Sequence, residues 1–371
     1  MRPDKINTHP RRMVLLIDSL ESGGAQRVLS ILAKAWVAQG CEVHLLTLES
    51  PGSVPFFPLD PRVQYSPLGL AAVSMGLRAK VTNHLARVRR LRRELTRIKP
   101  DLVLSFIDRN NVLALLCSRG LGIPVVVSER IAPASWKIGR IWNFLRILSY
   151  PLASGLVVQV PSVRSFFPGF LQSRIRVIPN PVPVPDPAGP ALEPRPRIIA
   201  VGRLHPQKGF DLLLEAFARV RARFPQWQLD ILGEGEERPV LEAQAKRLGL
   251  QDRFRLMGNR TDVSAQMRGA DIFVLSSRFE GFPNVLCEAM AVGMAVVSFG
   301  CPTGPAEIIH HGVDGILVPP GDVLGLAEGL ASLMGNAQLR AALATRAPEV
   351  LQQFSEQAII DQWEDCFREL C

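Results

Sequence analysis

The sequence lacks the patterns that usually hold metal ions. No Asp-x-Asp pair occurs among its 371 residues, and its six histidines do not cluster. Carboxylates at that spacing commonly hold a divalent cation against a diphosphate group. We therefore expect no essential metal, and we expect any bound diphosphate to be met by cationic side chains and helix N-termini.

Long apolar runs and patterned cysteines are absent as well. No apolar stretch approaches the ~18 residues that a membrane-spanning helix needs. The run at 13–17 is too short for a signal-peptide core and predicts a first buried strand. The six cysteines show neither metal-ligand spacing nor a disulfide framework, which favours reduced thiols and a cytosolic location.

Negative charge is scarce in the first half of the chain. Residues 1–190 hold 25 Lys or Arg and 11 Asp or Glu, a net charge of +14, whereas the remainder holds 18 and 23. This asymmetry predicts that the N-terminal half meets an anionic surface or acceptor. Nucleic acid would match the same charge, but no nucleic-acid-binding motif occurs. No nucleic-acid partner is therefore expected, and a membrane surface is favoured.

Short apolar runs alternate with helical patterns along both halves. The alternation predicts an α/β fold with two doubly wound parallel sheets, each Rossmann-like. A proline-rich stretch at 179–190 cannot form a regular element and predicts a linker. The predicted strands are 12–17, 42–47, 102–106, 124–128 and 155–159 in the first half, and 197–201, 228–232, 254–257, 272–275 and 295–298 in the second.

Two glutamates eight residues apart, Glu280 and Glu288, lie in the most informative segment. They follow a predicted strand, and Gly281 and Pro283 break that strand before a helix begins. A strand, a glycine turn and a helix N-terminus leave free N–H groups near 284–286 to bind a diphosphate at the carboxyl edge of the sheet. Glu288 can then bind a ribose and Glu280 sugar hydroxyls. Alternatively, Glu280 caps the helix and both residues are solvated charges.

Cations and glycines follow other predicted strands. Arg203 and Lys208 come after the first strand of the second half, where they can contact a diphosphate or remain solvated. Gly23 and Gly24 form the first strand–helix turn, where the backbone either approaches a ligand or simply turns. Gly233 opens an incomplete Gly-x-Gly pattern, which predicts the lining of a nucleotide site and not a nicotinamide site.

Five motifs, at 23–27, 201–204, 208–211, 280–288 and 311–319, resemble in content and order those of the retaining group 1 (family 4) glycosyltransferases. That family has the GT-B architecture, in which two Rossmann-like domains face each other across a cleft. The resemblance implies an acceptor-binding domain at 1–185, completed by a C-terminal helix at 355–371, and a nucleotide-sugar-binding domain at 195–354. Because the five motifs are spread along the sequence, the resemblance covers nearly the whole chain.

Taken with the residue patterns, the resemblance assigns roles to individual residues. The expected catalytic residues are Glu280, Arg203 and Lys208, of which the two cations neutralise the leaving nucleoside diphosphate. Many relatives carry a histidine near Arg130; the arginine here can bind an acceptor phosphate or form an ion pair in the surroundings of Glu129. The expected donor-binding residues are Glu288, Asn284, Val285, Leu286, Gly281, Phe282, Gly23, Gly24 and Gly233, and the expected acceptor-binding residues are Gln26, Arg27 and Arg130.

Segment 77–99 predicts a basic amphipathic helix, with an apolar stripe and nine Lys or Arg against a single Glu. It is either an ordinary helix with a solvated face or a surface that binds anionic lipid. Aromatic and cationic residues interleave at 136–146, a composition typical of membrane interfaces. Within the family, segments 105–111, 128–130 and 144–151 look most like N-acetylgalactosaminyltransferases that extend undecaprenyl-diphosphate-linked oligosaccharides.

We therefore expect a retaining, metal-independent transferase that moves a hexose or N-acetylhexosamine from a UDP-sugar, or a GDP-sugar, to a polyprenyl-diphosphate-linked glycan. We expect it to be peripheral on the cytoplasmic face of the cell membrane. The departing diphosphate can take the acceptor's proton, so no protein base is required. Another polysaccharide or lipopolysaccharide-core acceptor, and a nucleotide-sugar epimerase of the same fold, stay open. The incomplete glycine pattern disfavours a nicotinamide-dependent oxidoreductase, and the intact set of cations and glutamates disfavours an inactive binding subunit.

Overall fold

The computed structural model describes residues 10–70, 77–131, 133, 138–185 and 196–370, without the side chains of 77–85. The chain divides into two compact units. The N-terminal unit comprises Met1–Pro181 and Glu356–Cys371, and the C-terminal unit comprises Val182–Ser355. Each unit is built on a parallel sheet, which confirms the predicted α/β fold with two Rossmann-like sheets. Residues 136–137 of the predicted interfacial segment and 186–190 of the predicted linker lie outside the described residues.

The described part of the N-terminal unit contains a seven-stranded parallel sheet. Its strands are β1 (Arg12–Ile17), β2 (Glu42–Thr47), β3 (Gln64–Pro67), β4 (Leu102–Phe106), β5 (Val125–Ser128), β6 (Gly155–Val158) and β7 (Ile175–Val177). Their order is β3-β2-β1-β4-β5-β6-β7, so it reverses between β1 and β4. The buried strands are nearly continuous apolar runs, as parallel strands covered on both faces are. The sequence did not reveal β3 and β7, because they are short and only partly buried.

Helices of the N-terminal unit include the last helix of the chain. With helices numbered along the chain, they are α1 (Gly24–Ala38), α2 (Leu77–Ile98), α3 (Asp108–Ser118), α4 (Arg140–Ser149) and α12 (Glu356–Leu370). Trp363 and Phe367 of α12 pack against Trp36 of α1, and Trp363 stacks on Phe106. Burial of each such aromatic contributes ~1.5–3 kcal/mol, so α12 is part of this unit's core. No helix in the described part of the chain is long and apolar enough to span a membrane.

The described part of the C-terminal unit contains a six-stranded parallel sheet in the order β10-β9-β8-β11-β12-β13. The strands are β8 (Arg197–Val201), β9 (Gln228–Leu232), β10 (Phe254–Leu256), β11 (Ile272–Leu275), β12 (Ala295–Phe299) and β13 (Ile316–Val318). The helices are α5 (Phe210–Val220), α6 (Arg238–Arg247), α7 (Val263–Arg268), α8 (Asn284–Ala291), α9 (Val323–Gly335), α10 (Ala337–Arg346) and α11 (Val350–Phe354). Within the 311–319 motif, the His311 ring Nδ1 accepts a hydrogen bond from the Leu317 N–H at 3.0 Å. Residues Ile316–Val318 of the same motif form β13, which pairs with β12 and which the sequence did not reveal.

A buried ion network joins the three strands β8, β9 and β10. Asp230 is fully buried, and both Arg197 Nη2 and Arg255 Nη2 lie 2.7 Å from its Oδ2. Arg197 also donates to Gln266 Oε1 at 3.1 Å. Burial alone would raise the pKa of Asp230, but hydrogen bonds from the two arginines lower it. Every charge in this network therefore has a counter-charge.

Candidate functional site

The candidate site lies at the carboxyl edge of the C-terminal sheet, where the loops after β8 and β11 meet. These strands are neighbours at the point where the strand order reverses, which is the usual ligand site of such sheets. Gly209 allows the close approach of the two loops, because it has a φ of +61° and a Cβ there would lie 2.1 Å from the Ser276 carbonyl oxygen. Ser276 Oγ donates to the Lys208 carbonyl at 2.9 Å, and the Arg278 N–H donates to the Gln207 carbonyl at 2.8 Å.

Glu280 and Lys208 form an ion pair between those two loops. Lys208 Nζ lies 2.7 Å from Glu280 Oε1, and Ser277 Oγ donates to the same oxygen at 2.6 Å. Thr303, after β12, donates from its hydroxyl to the Glu280 carbonyl oxygen. Glu280 is only 5% exposed, and none of the described residues donates to its Oε2. It does not cap α8, since the N-cap position is Pro283 and no side chain caps that helix. The capping alternative is therefore wrong.

One face of α8 borders this site. Asn284, Val285 and Glu288 are half-buried along it, whereas Leu286 lies in the core with none of its surface exposed. Positions 284 and 288 are one helical turn apart, so they share a face. The structure thus places Glu288 on the accessible side of the helix and the Leu286 side chain away from it.

The predicted row of free N–H groups at 284–286 is only partly realised. The Asn284 N–H donates to the Phe282 carbonyl and the Leu286 N–H to the Pro283 carbonyl, each at 3.0 Å. Within the described residues, the Val285 N–H alone of the three has no acceptor. The cause is the tight turn that brings the chain into α8 through Pro283, since its carbonyl groups lie close enough to take two of the three donors.

Arg203 and Gly233 lie in the loops after β8 and β9. The Arg203 side chain is exposed and makes no hydrogen bond or ion pair with any described residue. Gly233 has a φ of +144°, and a Cβ there would lie 1.9 Å from the Gly202 carbonyl oxygen. Contact between the two loops therefore demands glycine at 233 whether or not a ligand is present. Gly281 and Phe282 are buried in the loop after β11.

The first strand–helix turn of the N-terminal unit is organised by local contacts. The Gly23 carbonyl accepts from the Arg27 N–H at 3.0 Å, and Gly24 begins α1. Gly23 itself is extended, with a φ of −176°, so its backbone conformation does not require glycine. A Cβ there would lie 2.3 Å from Gln26 Oε1, because the Gln26 side chain folds back over the turn.

Arg130 follows β5 and is buried, but it does not join an ion pair around Glu129. Its Nη1 donates to Asn180 Oδ1 at 2.6 Å. Glu129 instead accepts a hydrogen bond from the Tyr150 hydroxyl, and Arg146 Nη1 lies 3.6 Å from its Oε1. The ion-pair alternative for Arg130 is therefore wrong, because Glu129 is engaged with other partners.

Three acidic residues at the same sheet edge were missed by sequence reasoning. Burial raises the pKa of Asp18 and of Asp108, and the charge of Glu49 further raises that of Asp18. Burial also raises the pKa of Glu129 to about 7. A sequence signal existed, since each of the three is the first acidic residue after a predicted strand. In the described part of the chain, no three His, Cys, Asp or Glu side chains are grouped to hold a metal ion.

Two family models match the chain. The model described as "Glycosyltransferase Family 4" matches residues 22–185, and the model described as "Glycosyl transferases group 1" matches residues 195–336. An exopolysaccharide phosphotransferase of Streptomyces coelicolor is 36% identical over 228 residues, which is 60% of this chain; the chain spans only about a quarter (24%) of that protein's length.

Similarity over the full length extends to a relative and to a solved structure. The α-1,4-N-acetyl-D-galactosaminyltransferase of Campylobacter jejuni that is named for GalNAc-α-(1→4)-GalNAc-α-(1→3)-diNAcBac-PP-undecaprenol is 28% identical, covering 95% of this chain and 97% of that one. The structure of Anabaena HepE in complex with UDP and glucose superposes with a TM-score of 0.77 at 20% identity, covering 96% of this chain and 98% of that one. The matched segments, the two parallel sheets and these similarities together show that the chain belongs to the group 1 (family 4) glycosyltransferases of GT-B fold.

Proposed function

We propose that this glycosyltransferase moves a hexose or N-acetylhexosamine from a UDP-sugar to a polyprenyl-diphosphate-linked glycan, with retention of anomeric configuration and without a metal ion. The observation that carries the proposal is the Lys208–Glu280 pair, which sets a cation beside a fixed carboxylate where the strand order reverses. The undecaprenol-diphosphate glycan in the name of the Campylobacter relative supports the acceptor class. The UDP in the Anabaena structure supports the donor.

The leaving diphosphate is proposed to bind to cations and one amide. An ammonium group has three N–H donors; Lys208 directs one at Glu280, which leaves the others for phosphate oxygens. The exposed guanidinium of Arg203 has its full planar fork available, and the Val285 N–H adds a donor at the start of α8. These groups stabilise the negative charge that grows as the glycosidic bond to the diphosphate breaks.

The sugar and the ribose are proposed to bind to the two glutamates. Because Oε1 of Glu280 is taken by Lys208 and Ser277, its Oε2 is the atom that accepts from a sugar hydroxyl. Glu288, on the accessible face of α8, accepts from the ribose diol. The acceptor hydroxyl attacks from the face that the diphosphate leaves and gives its proton to that diphosphate. Gln26, Arg27 and Arg130 of the N-terminal unit bind the acceptor in this proposal.

Calorimetry with a panel of UDP- and GDP-sugars, in buffer containing EDTA, tests the donor assignment. We expect saturable heat for at least one UDP-sugar and transfer of its sugar to a polyprenyl-diphosphate glycan, with the α or β configuration of the donor kept in the product. Arg203→Ala and Glu280→Ala should each lower the transfer rate roughly 10²–10³-fold. The melting temperature of Arg203→Ala should be unchanged, since its side chain is exposed and unpaired within the described residues.

The matched control is Arg247→Ala, which removes an exposed arginine from the C-terminal end of α6. It should retain normal transfer. Absence of heat with every sugar nucleotide, or normal turnover by Arg203→Ala, would refute the proposed site. Recovery of an epimerised donor in the absence of acceptor would instead identify an epimerase.

We propose further that the N-terminal unit binds an anionic membrane surface. Some of the described cations of α2 already have partners within the protein, so fewer of them can bind lipid. Arg92 donates to the Cys117 carbonyl, and Arg90 pairs with Glu94. Arg89 and Arg93 remain exposed on α2. Helix α4 adds an apolar face that is open to solvent, with Ile141 75%, Phe144 62% and Leu148 63% exposed.

Flotation with liposomes containing anionic lipid tests this membrane proposal. Combined Arg89→Glu and Arg93→Glu substitution should weaken partitioning by ~1 kcal/mol per residue, or about fivefold each. The matched control, Arg219→Glu on α5, alters an exposed arginine of the C-terminal unit and should not change partitioning. Equal partitioning of all three proteins would exclude α2 as the lipid-binding surface.

A further inference from the structure

Arg130 is a buried cation that has no counter-ion. It lies just after β5, at the carboxyl edge of the N-terminal sheet, and is 9% exposed. Its guanidinium carbon sits 3.5 Å from the centroid of the Phe106 ring, and its Nη1 donates to Asn180 Oδ1 at 2.6 Å. No carboxylate among the described residues pairs with it, since the neighbouring Glu129 is bound to Tyr150 and lies near Arg146.

The two remaining donor groups of Arg130 form a matched pair. Nε and Nη2 are buried and have no hydrogen-bond partner among the described residues. They lie on the same edge of the planar guanidinium, and this edge is the fork that binds two oxygens of one carboxylate or phosphate. The ring of Phe106 and the amide of Asn180 fix the plane and the rotation of the fork.

An uncompensated buried arginine is costly, and arginine does not escape the cost by losing its proton in the physiological range. Burial lowers the pKa of Arg130, but this guanidinium still carries its charge at neutral pH. Buried charges in proteins are normally paired. Ser128 Oγ, at the end of the same strand, is also buried without a partner among the described residues, and a hydroxyl can donate to an oxyanion. The arrangement is therefore complete only when an oxyanion occupies the fork.

We infer that Arg130 forms an oxyanion subsite, in which Nε and Nη2 donate two parallel hydrogen bonds to a phosphate or carboxylate group of a substrate. The inference rests on the proposed transferase function and specifies that the substrate group recognised by the N-terminal unit is negatively charged. The oxyanion is either the diphosphate of the lipid-linked acceptor or the carboxylate of a uronic acid. Both atoms are shielded from solvent, so the oxyanion reaches them with a local displacement of the surrounding chain.

Binding of simple oxyanions tests the subsite directly. The probes are inorganic pyrophosphate and glucuronate, titrated into wild-type protein and into Arg130→Met and Arg130→Lys while the arginine Nε–H resonances are followed by NMR. In the wild type one Nε–H resonance should shift and saturate, and that resonance should be missing from both variants. Affinity should fall by about tenfold or more in Arg130→Met, and by less in Arg130→Lys, which keeps the charge but not the fork.

Steady-state kinetics distinguishes the two sources of the oxyanion. If the acceptor diphosphate occupies the fork, Arg130→Met should raise KM for the lipid-linked acceptor and leave the donor's KM unchanged. If a uronate occupies it, the wild type should prefer the uronate form of one substrate over the neutral hexose form, and Arg130→Met should abolish that preference. Arg130→Lys provides the same comparisons if Arg130→Met does not fold.

Two outcomes would overturn the inference. One is equal anion affinity and equal KM values in the wild type and both variants. The other is a lower melting temperature in Arg130→Met with unchanged anion binding, which would mean that Arg130 serves only to pack against Phe106. Failure of the proposed function would be a separate result. Donor binding and transfer are tested with the Arg203 and Glu280 variants, whereas anion binding is tested with the Arg130 variants.

Discussion

Two buried arginines, one in each unit, differ in whether the described part of the chain supplies a counter-charge. Arg197 of the C-terminal unit meets Asp230 on the next strand and the amide of Gln266. Arg130 of the N-terminal unit meets one amide oxygen and one aromatic ring, and two of its N–H groups have no partner among the described residues. The first arrangement is complete in the folded chain. The second lacks a counter-charge.

The difference separates a structural charge from a functional one. Asp230 lies in mid-strand, on the strand between β8 and β10, and is fully buried, so its charge must be matched within the protein. Arg130 lies where strands end, at the sheet edge that binds ligands in such folds. Burial alone therefore does not indicate a role. The position along the strand and the completeness of the partner set do.

The largest expected effect comes from breaking the complete network. Asp230→Asn should lower the free energy of unfolding by about 3–5 kcal/mol, because it leaves Arg197 buried without an anion. Urea denaturation followed by circular dichroism measures this loss. By contrast, Arg130→Met should leave the melting temperature unchanged or raise it, since it removes a buried cation that has no counter-charge in the described part of the chain.

The control for that comparison is Glu349→Gln, which breaks the exposed pair between Glu349 and Arg346 and should change stability little. A loss of stability in Arg130→Met as large as that in Asp230→Asn would contradict the distinction between the two arginines.

A smaller effect is expected from the pH dependence of Glu129, the neighbour of Arg130. Its pKa rises from the ordinary 4.5 to about 7 because of burial, so the folded state holds the proton more tightly than the unfolded state. The free energy of unfolding should therefore fall by about 3 kcal/mol as pH rises from about 4.5 to about 7. Glu129→Gln should remove this part of the pH dependence, as measured by urea denaturation across that range.

Glu215→Gln, at an exposed position of α5, is the matched control and should reproduce the wild-type pH profile. Parallel profiles for the wild type and Glu129→Gln would show that Glu129 ionises in the folded protein as it does in the unfolded chain.

Much of the fold followed from local patterns. Strands such as β1, β4 and β11 are unbroken apolar runs, and parallel strands buried on both faces must be apolar at every position. Strands β3, β7 and β13 were missed because each is only three or four residues long and partly exposed. Their existence depends on a longer neighbour that supplies hydrogen bonds, and the sequence of the short strand itself does not encode that neighbour.

The candidate site was predictable as a set of residues but not as a set of contacts. Arg203, Lys208 and Glu280 follow the ends of strands, Glu288 lies on the helix after β11, and the order of the motifs identified the family. The pairing of Lys208 with Glu280 spans 72 positions of sequence and arises because β8 and β11 are neighbours in the sheet. The loss of two free N–H groups at the start of α8 likewise depended on the exact path of the turn through Pro283.

By itself the sequence determined two parallel sheets, the type of residue at their carboxyl edges and the family, because apolar periodicity and motif order are local properties of the chain. Tertiary structure decided which charges are paired. Counter-ions such as Asp230 come from distant parts of the chain, and a buried cation shows the lack of one, as Arg130 does, only when its surroundings are assembled.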